Sequence, residues 1–218
     1  MPTAIVISEG QADDAFLKKL IEARQIANLE VVPAVKPESY GHGGFQRRLE
    51  GLKIRGVEQN KAIIIVADND EYPDRAFSNI QVQIRDAGDY NVPRNPYELS
   101  ARGKLPPIAV VMLPSGGQQG SLDSVCLSAV DAKYDRQLQC VNAIVKCIGA
   151  TEETWGKVQL AKLKIQCLLS VICSGDPYTP LKCAWLVEAR KGRTGDIFPL
   201  NNAAFDSIAD FLRAVGEI

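Results

Sequence analysis

Four short apolar runs, rich in β-branched residues and separated by segments of helical periodicity, constrain the fold of this chain more than any other feature. They read TAIVIS, NLEVVPAV, KAIIIVADND and IAVVML. Between them lie segments such as ADDAFLKKLIEAR, in which apolar residues recur at helical spacing. This alternation predicts an α/β fold with a Rossmann-like, mostly parallel sheet that is flanked by helices.

The character of the chain changes after residue 114. The glycine-rich segment SGGQQGSLDSVCLSAV leads into a helix for which Ser121 is a candidate N-cap. Three further segments predict helices: DRQLQCVNAIVKCIG, TEETWGKVQLAKLKIQCLLSVIC and AAFDSIADFLRAV. CAWLVEA fits either a short strand or the end of a helix. We therefore expect an α/β domain over residues 1–125 and a helical C-terminal region over residues 126–218, packed together as one compact unit.

Composition limits the classes of function. With 25 Lys and Arg residues against 26 Asp and Glu residues, the net charge of −1 gives no overall attraction to nucleic acid or to an anionic membrane. The start, MPTAIVISEG, lacks the features of a signal peptide, and no apolar run reaches the length of about 18 residues that a membrane helix needs. The six cysteines form no C-x-x-C pair and the chain has one histidine, so a zinc site is poorly supported and we expect small buried thiols in a cytoplasmic protein.

Acidic residues follow two of the predicted strands. The first strand ends in Glu9-Gly10-Gln11-Ala12-Asp13, and the third ends in Asp68-Asn69-Asp70. Functional groups in parallel sheets gather at the carboxyl ends of strands, so Glu9 faces the aspartate pair if the two strands are neighbours. Like charges this close repel unless a cation or a proton lies between them, and three oxygen ligands suit Mg²⁺. The alternative is that Asp68 and Asp70 cap the next helix and bond loop amides.

The order of these motifs resembles that of TOPRIM domains, which occur in topoisomerases, bacterial-type primases, recombination-repair proteins and OLD-type nucleases. Their signature is Glu-Gly-x-x-Asp after a first apolar strand and Asp-x-Asp after a later one. The chain is most similar to a stand-alone prokaryotic branch in which a GG turn precedes a helix and G-x-L-E follows the next strand. Here those segments read HGGFQRRL and GSLD, and the resemblance covers roughly residues 3–125.

The resemblance implies a role for each acidic residue. Glu9 is expected to act as a general acid/base or a metal ligand, and Asp68 and Asp70 to hold Mg²⁺ or Mn²⁺ during phosphoryl transfer on nucleic acid. Asp123 is a possible fourth metal ligand, although it stands where the branch has the longer Glu.

Three further positions bear on this resemblance. Gly10 is expected to let the backbone turn close to the site, and Asp13 to anchor that turn beside the substrate. Tyr72 stands where many topoisomerase members carry a third aspartate. Because the chain also lacks the gate domains of a topoisomerase and the zinc-binding segment of a primase, we expect neither activity.

Two loops are candidates for contact with substrate. Ser115, Gly116 and Gly117 belong to a glycine-rich loop that lacks the lysine of a Walker A motif. The loop is therefore either a flexible turn beside the active site or a segment that contacts substrate through its backbone amides. His42 is either a solvated loop residue or a catalytic base, since its ordinary pKa lies near neutrality.

Basic and aromatic residues could either contact nucleic acid or have no part in binding. Arg47 and Arg48 lie on a predicted basic helix that faces either solvent or a phosphate backbone. The same choice applies to the lysines of KVQLAKLK. Trp155 and Trp185 are expected in the core or in an interface, because no basic residues interleave with them as they do in single-strand binders.

Taken together, these features predict a cytoplasmic TOPRIM-like nuclease or related phosphotransferase that depends on Mg²⁺ or Mn²⁺. One alternative is a degenerate TOPRIM scaffold that binds nucleic acid or a partner protein without chemistry. Another is a component of a defence or repair system that acts only with a partner protein. A phosphoaspartate phosphatase is less favoured, because it does not need Glu9 and usually has Thr or Val in place of Tyr72. A serine hydrolase is not expected without a G-x-S-x-G motif.

Overall fold

Four parallel strands form the centre of the molecule. The computed structural model describes residues 3–32, 44–173, 178, 180–185 and 197–218. The strands are β1 (Ala4–Ser8), β2 (Leu29–Val32), β3 (Ile63–Asp68) and β4 (Ile108–Leu113), in the spatial order β2-β1-β3-β4. Val6 pairs with Val31 on one side and with Ile64 on the other. The predicted parallel α/β fold is confirmed, and the first and third strands are neighbours.

Helices connect and cover these strands. Within the described residues they are α1 (Gln11–Ala23), α2 (Gly44–Ile54), α3 (Pro73–Asp86), α4 (Leu122–Ser128), α5 (Asp135–Cys147), α6 (Glu152–Trp155), α7 (Lys157–Ile172) and α8 (Asp206–Glu217). The start of CAWLVEA lies in a 3-10 helix, Leu181–Ala184, and its last residues lie outside the described part of the chain. Each predicted helix therefore has a counterpart, except that one predicted long helix is divided into two, α6 and α7.

The segment predicted as one long helix before residue 173 is broken at Gly156. This residue has a φ of 75°, a left-handed conformation that favours glycine. A Cβ at this position would lie 2.6 Å from Oε1 of Glu71, so side chains are excluded there as well. The chain consequently ends α6 at Trp155 and starts α7 in a new direction at Lys157.

The two faces of the sheet bury separate hydrophobic clusters. Successive residues of a strand point to opposite faces, so Val6 and Ile64 belong to one cluster while Ile5 and Ile63 belong to the other. The first cluster also contains buried residues of α1, α4, α5, α7 and α8, and the second contains those of α2 and α3. The C-terminal helices thus share a core with the sheet, and a domain boundary at residue 125 stays a prediction.

The structure also bears on the expected absence of a membrane helix and on the expected burial of the cysteines. No helix in the described ranges has both the length and the apolar character needed to cross a membrane. Cys126 and Cys173 are buried as expected, whereas Cys140 and Cys147 are exposed on α5. The expectation of buried thiols is therefore correct only in part.

Candidate active site

The carboxyl ends of β1 and β3 bring acidic residues to one edge of the sheet. Ser8 at the end of β1 pairs with Val66 of β3. Glu9 follows Ser8 directly, and Asp68 is the last residue of β3. Both residues therefore extend neighbouring strands in the same direction, as the sequence predicted.

Glu9 lies among other negative charges. Desolvation is the largest cause that raises its pKa, to about 7, and the charges of Asp70 and Asp13 raise it further. A backbone hydrogen bond from Asp68 and the positive charge of Lys162 act in the opposite direction. Glu9 also presents surface to solvent, which screens these charges and moderates the effect without reversing it. A carboxyl group whose pKa lies near neutrality is suited to exchange protons at physiological pH.

Asp68 connects the acidic edge to a helix. Its Oδ1 accepts the backbone N–H of Leu122, the first residue of α4, at 2.9 Å. Desolvation, followed by the charges of Asp13 and Glu9, raises the pKa of Asp68 well above its usual range. Asp68 thus caps a helix, although this helix is α4 and not the next one along the chain. Its other carboxylate oxygen takes no part in this contact.

Asp123 follows Leu122 in the first turn of α4, close to the same edge. Burial is the main cause that raises its pKa, while Lys162 lowers it. The N-cap residue of α4 is Ser121, as predicted, and the Ser124 hydroxyl accepts its backbone N–H at 3.2 Å. The α4 N-terminus therefore places a further acidic side chain beside the strand ends.

The two residues after Asp68 are held by the glycine-rich loop. Asn69 is almost fully buried, and its Nδ2 donates to the carbonyl oxygens of Pro114 at 2.6 Å and Gln118 at 2.7 Å. Asp70 has a φ of 53°, and its carbonyl oxygen accepts the Gly120 N–H at 3.0 Å. Asp70 is exposed as a residue, but its carboxyl group is partly desolvated, and this is the main cause that raises its pKa. The Asp-x-Asp segment thus has a fixed backbone and an accessible second aspartate.

Gly10 and Asp13 form the turn that follows β1. Gly10 has an extended backbone that any residue adopts, so its conformation does not require glycine. A Cβ there would lie 3.0 Å from Oδ2 of Asp13, so the absence of a side chain lets Asp13 approach. Desolvation raises the pKa of Asp13 to about 6, while backbone hydrogen bonds from Asp13 and Gly10 lower it. Asp13 therefore has the geometry of a turn anchor.

The glycine-rich loop borders the site through its contact with Asn69. Gly116 and Gly117 have φ values of 73° and 69°, are exposed, and line a cavity together with Asn69. Ser115 points elsewhere, since its hydroxyl donates to that of Ser207 on α8 at 3.2 Å. The loop is thus beside the acidic edge, and its predicted contact with substrate stays a prediction.

The basic residues singled out in the sequence do not join this cluster. Arg47 and Arg48 lie on α2, which covers the second face of the sheet. Burial lowers the pKa of Arg48, and its Nε has no hydrogen-bond partner within the described residues. His42 lies outside the described residues. Arg47 and Arg48 are not among the causes that shift the acidic pKa values at this edge.

Two residues near the site are not identified by the sequence. Lys162 on α7 lowers the pKa values of Glu9, Asp70 and Asp123, so its positive charge lies close enough to act on the acidic cluster. Trp155 is 46% exposed, so of its two expected places, the core or an interface, the core is excluded. KVQLAKLK contains three lysines with no signal to single out one.

The acidic edge offers carboxylate oxygens, which are the ligands that Mg²⁺ takes in proteins. In the part of the chain that the structure describes, no group of three or more His, Cys, Asp or Glu side chains is arranged to hold one. Mg²⁺, however, commonly takes only one or two carboxylates and fills its other positions with waters and substrate phosphates. Asp70 and the Asp68 oxygen that does not cap α4 would be the carboxylate ligands of such a site, and Glu9 is close enough for its charge to act on Asp68.

Comparison with known proteins gives a family match over nearly the whole chain. The model of a family described as a protein of unknown function, DUF3226, matches residues 3–215. No curated protein matches the chain. No solved structure matches it either.

Proposed function

The chain belongs to the DUF3226 family of unknown function, and from its acidic site we propose that it is a Mg²⁺- or Mn²⁺-dependent nuclease or related phosphotransferase of TOPRIM type. The observation that supports this most is the convergence of Glu9, Asp13, Asp68 and Asp70 at one sheet edge. Burial and, after it, the charges of neighbouring carboxylates raise the pKa values of Glu9 and Asp68 there, so the ionised cluster is costly by itself. A divalent cation relieves this repulsion, since it is the largest local charge in such a site.

Each residue has a defined part in the proposed reaction. Asp68 and Asp70 would hold the metal, with Asp123 as a further candidate ligand. The metal, when bound, supplies neutralisation of the charge on the phosphoryl oxygens. Glu9, with a pKa of about 7, accepts a proton from the attacking water at neutral pH or shares the metal. Asn69 keeps the two aspartates in place through its bonds to the loop carbonyls.

The experiment compares nucleic-acid cleavage by the unmodified protein and by Asp70→Asn. Labelled single-stranded and duplex oligonucleotides are incubated with Mg²⁺, Mn²⁺ or EDTA. We expect cleavage that requires the metal and falls about 100-fold or more in Asp70→Asn, because metal stabilisation of the transition state is worth several kcal/mol. Asp86→Asn, at the exposed end of α3, is the matched control and should cleave normally. Equal cleavage by Asp70→Asn and its parent would show that the metal role is wrong.

A second candidate is a degenerate TOPRIM scaffold that binds nucleic acid or a partner protein. The observation that favours it is the lack, in the described ranges, of a group of three acidic side chains already arranged around a metal. Calorimetric titration with Mn²⁺ separates the two candidates, because a scaffold has no reason to bind the ion at micromolar concentration. Cleavage that appears only when a partner protein is added would instead support a role in a defence or repair system.

A further inference from the structure

A cavity adjoins the acidic edge on the side of α7. Its volume is about 420 Å³, which lies in the range of roughly 300–1,000 Å³ found for ligand pockets. The residues that matter in its lining are Ala12 of α1, Asp123 of α4, and Trp155, Gln159 and Lys162 of the α6–α7 segment. We call this the Trp155 cavity. Asp123 belongs both to it and to the acidic edge, so a ligand in the cavity lies next to the candidate active site.

Trp155 gives the cavity an exposed aromatic surface. The ring is 46% exposed, whereas Trp185 is only 4% exposed and packs against Phe16 and Phe198 in the core. A large exposed aromatic side chain beside a polar site is a typical platform for stacking of nucleobases, because every base has a π-face. The two tryptophans therefore differ in environment, and only Trp155 presents a large surface to solvent.

The position of Trp155 is fixed relative to the Asp-x-Asp segment. Glu71 follows Asp70 in sequence, and its Oε1 accepts the Val158 N–H in the first turn of α7 at 2.9 Å. Gly156 lies against the same carboxylate, with no room for a Cβ. The corner that carries Trp155 is thus attached to the residue next to Asp70. A base on Trp155 and a phosphate at the acidic edge would be held at a constant separation.

Lys162 supplies positive charge to both the Trp155 cavity and the acidic edge. It lines the Trp155 cavity, and its charge acts on Glu9, Asp70 and Asp123. A lysine in this position attracts the phosphate that follows a base bound in the cavity, and it offsets repulsion of that phosphate by the acidic cluster. Duplex bases are stacked on one another and do not present their faces to a protein side chain, so the arrangement suits an unpaired strand.

We propose that the Trp155 cavity binds one unpaired base of a single-stranded nucleic acid, stacked on Trp155 with its adjoining phosphate beside Lys162. This inference rests on the proposed function for the identity of the substrate, and it adds that the substrate is single-stranded and is held through a base. The acidic edge then acts on a phosphate near that base.

The test measures affinity without cleavage. Fluorescence anisotropy follows binding of labelled dT20 and U20 in EDTA by the full chain and its variants. We expect Trp155→Ala to weaken binding about 5- to 100-fold, Trp155→Phe to retain most of the affinity, and Lys162→Gln to weaken binding and reduce its salt dependence. Ile54→Ala on α2 and Lys164→Gln on α7 are matched controls that should bind normally, since neither residue lines the cavity. If Trp155→Ala weakens the binding of only one of the two strands, the chemistry of that strand, DNA or RNA, is that of the ligand.

Two further measurements exclude a merely structural effect of Trp155. Quenching of tryptophan fluorescence on binding should disappear in Trp155→Phe, because Trp185 is buried. An abasic strand should bind the unmodified protein about as weakly as dT20 binds Trp155→Ala.

Several results overturn the proposal: no binding of either strand, unchanged affinity of Trp155→Ala, or no difference between the abasic and normal strands. Trp155-dependent binding with no metal-dependent cleavage would overturn the proposed enzyme and leave this inference standing. If cleavage is lost in Asp70→Asn, while Trp155→Ala keeps both the cleavage and the affinity of the parent, the inference about Trp155 is overturned and the proposed enzyme stands.

Discussion

Asp68 and Leu122 are joined by a hydrogen bond of 2.9 Å, in which the first N–H of α4 donates to the aspartate at the end of β3. One carboxylate oxygen of Asp68 is therefore structural. Burial and neighbouring carboxylates nevertheless disfavour its charge, as its raised pKa indicates. A helix cap alone could be provided by a neutral side chain, and the proposed metal ion would give the ionised form of Asp68 a second role.

Substitution of Asp68 separates these two roles. Asp68→Asn keeps an oxygen that can accept the Leu122 N–H, so we expect its melting temperature without metal to equal or exceed that of the parent. Asp68→Ala leaves that N–H without its acceptor and should lower the free energy of unfolding by about 1 kcal/mol. Thermal melts with and without Mg²⁺ measure both effects, and we expect Mg²⁺ to stabilise the parent alone. Equal stabilisation of Asp68→Asn by Mg²⁺ would contradict a metal role for this residue.

The raised pKa of Glu9 predicts a dependence of stability on pH. Its pKa is about 7 in the folded protein and 4.5 ordinarily, so the folded state holds more protons than the unfolded state between these values. The free energy of unfolding should therefore be higher below pH 4.5 and fall as the pH rises through 7. Melting temperatures measured from pH 4 to pH 8 without metal test this, with Glu9→Gln as the variant that lacks the titration.

The contribution of Glu9 is the difference between the two pH profiles, since other carboxyl groups titrate in both proteins. The parent should lose more stability than Glu9→Gln as the pH rises, and Mg²⁺ should restore more of it at pH 8. If the pH profiles of the parent and Glu9→Gln ran parallel both with and without Mg²⁺, Glu9 would not belong to the metal site.

The contact between Gly120 and Asp70 predicts a sensitive position outside the acidic residues. Gly120 has a φ of 148°, and a Cβ there would lie 2.8 Å from atoms of Pro114 and Ser124. Gly120→Ala should cost about 1–3 kcal/mol of stability and weaken Mn²⁺ binding, because the loop that holds Asp70 must shift.

Gly51→Ala is the matched control in chemical denaturation. Gly51 lies inside α2 and a Cβ there meets nothing within 4 Å, so the substitution should raise stability by about 0.5–1 kcal/mol. If the two variants had the same stability and the same affinity for Mn²⁺, the role assigned to Gly120 would be incorrect.

Sequence reasoning succeeded where local pattern determines structure. β-branched apolar runs gave the four strands, helical spacing gave the helices, and parallel topology explained why Glu9 and Asp68 reach the same edge. Ser121 as the N-cap of α4 also followed from residue type alone.

The features that sequence reasoning missed depend on contacts between distant segments. Gly156 breaks a helix because Glu71 packs against it from 85 residues earlier in the chain. Trp155 lies directly before this break, and Lys162 lies in the second turn of the helix that follows it. Arg47 and Arg48 looked equally suitable as cations, but α2 places them on the other face of the sheet.

The most direct test of the central claim is a crystal structure of the protein soaked in Mn²⁺, with anomalous diffraction used to locate the ion. We predict one strong peak at the sheet edge, bonded at about 2.0–2.2 Å to Asp70 and to the Asp68 oxygen that does not accept the Leu122 N–H, with Glu9 in direct or water-mediated contact. No peak at this edge under saturating Mn²⁺, with the three carboxylates unchanged in position, would contradict the account.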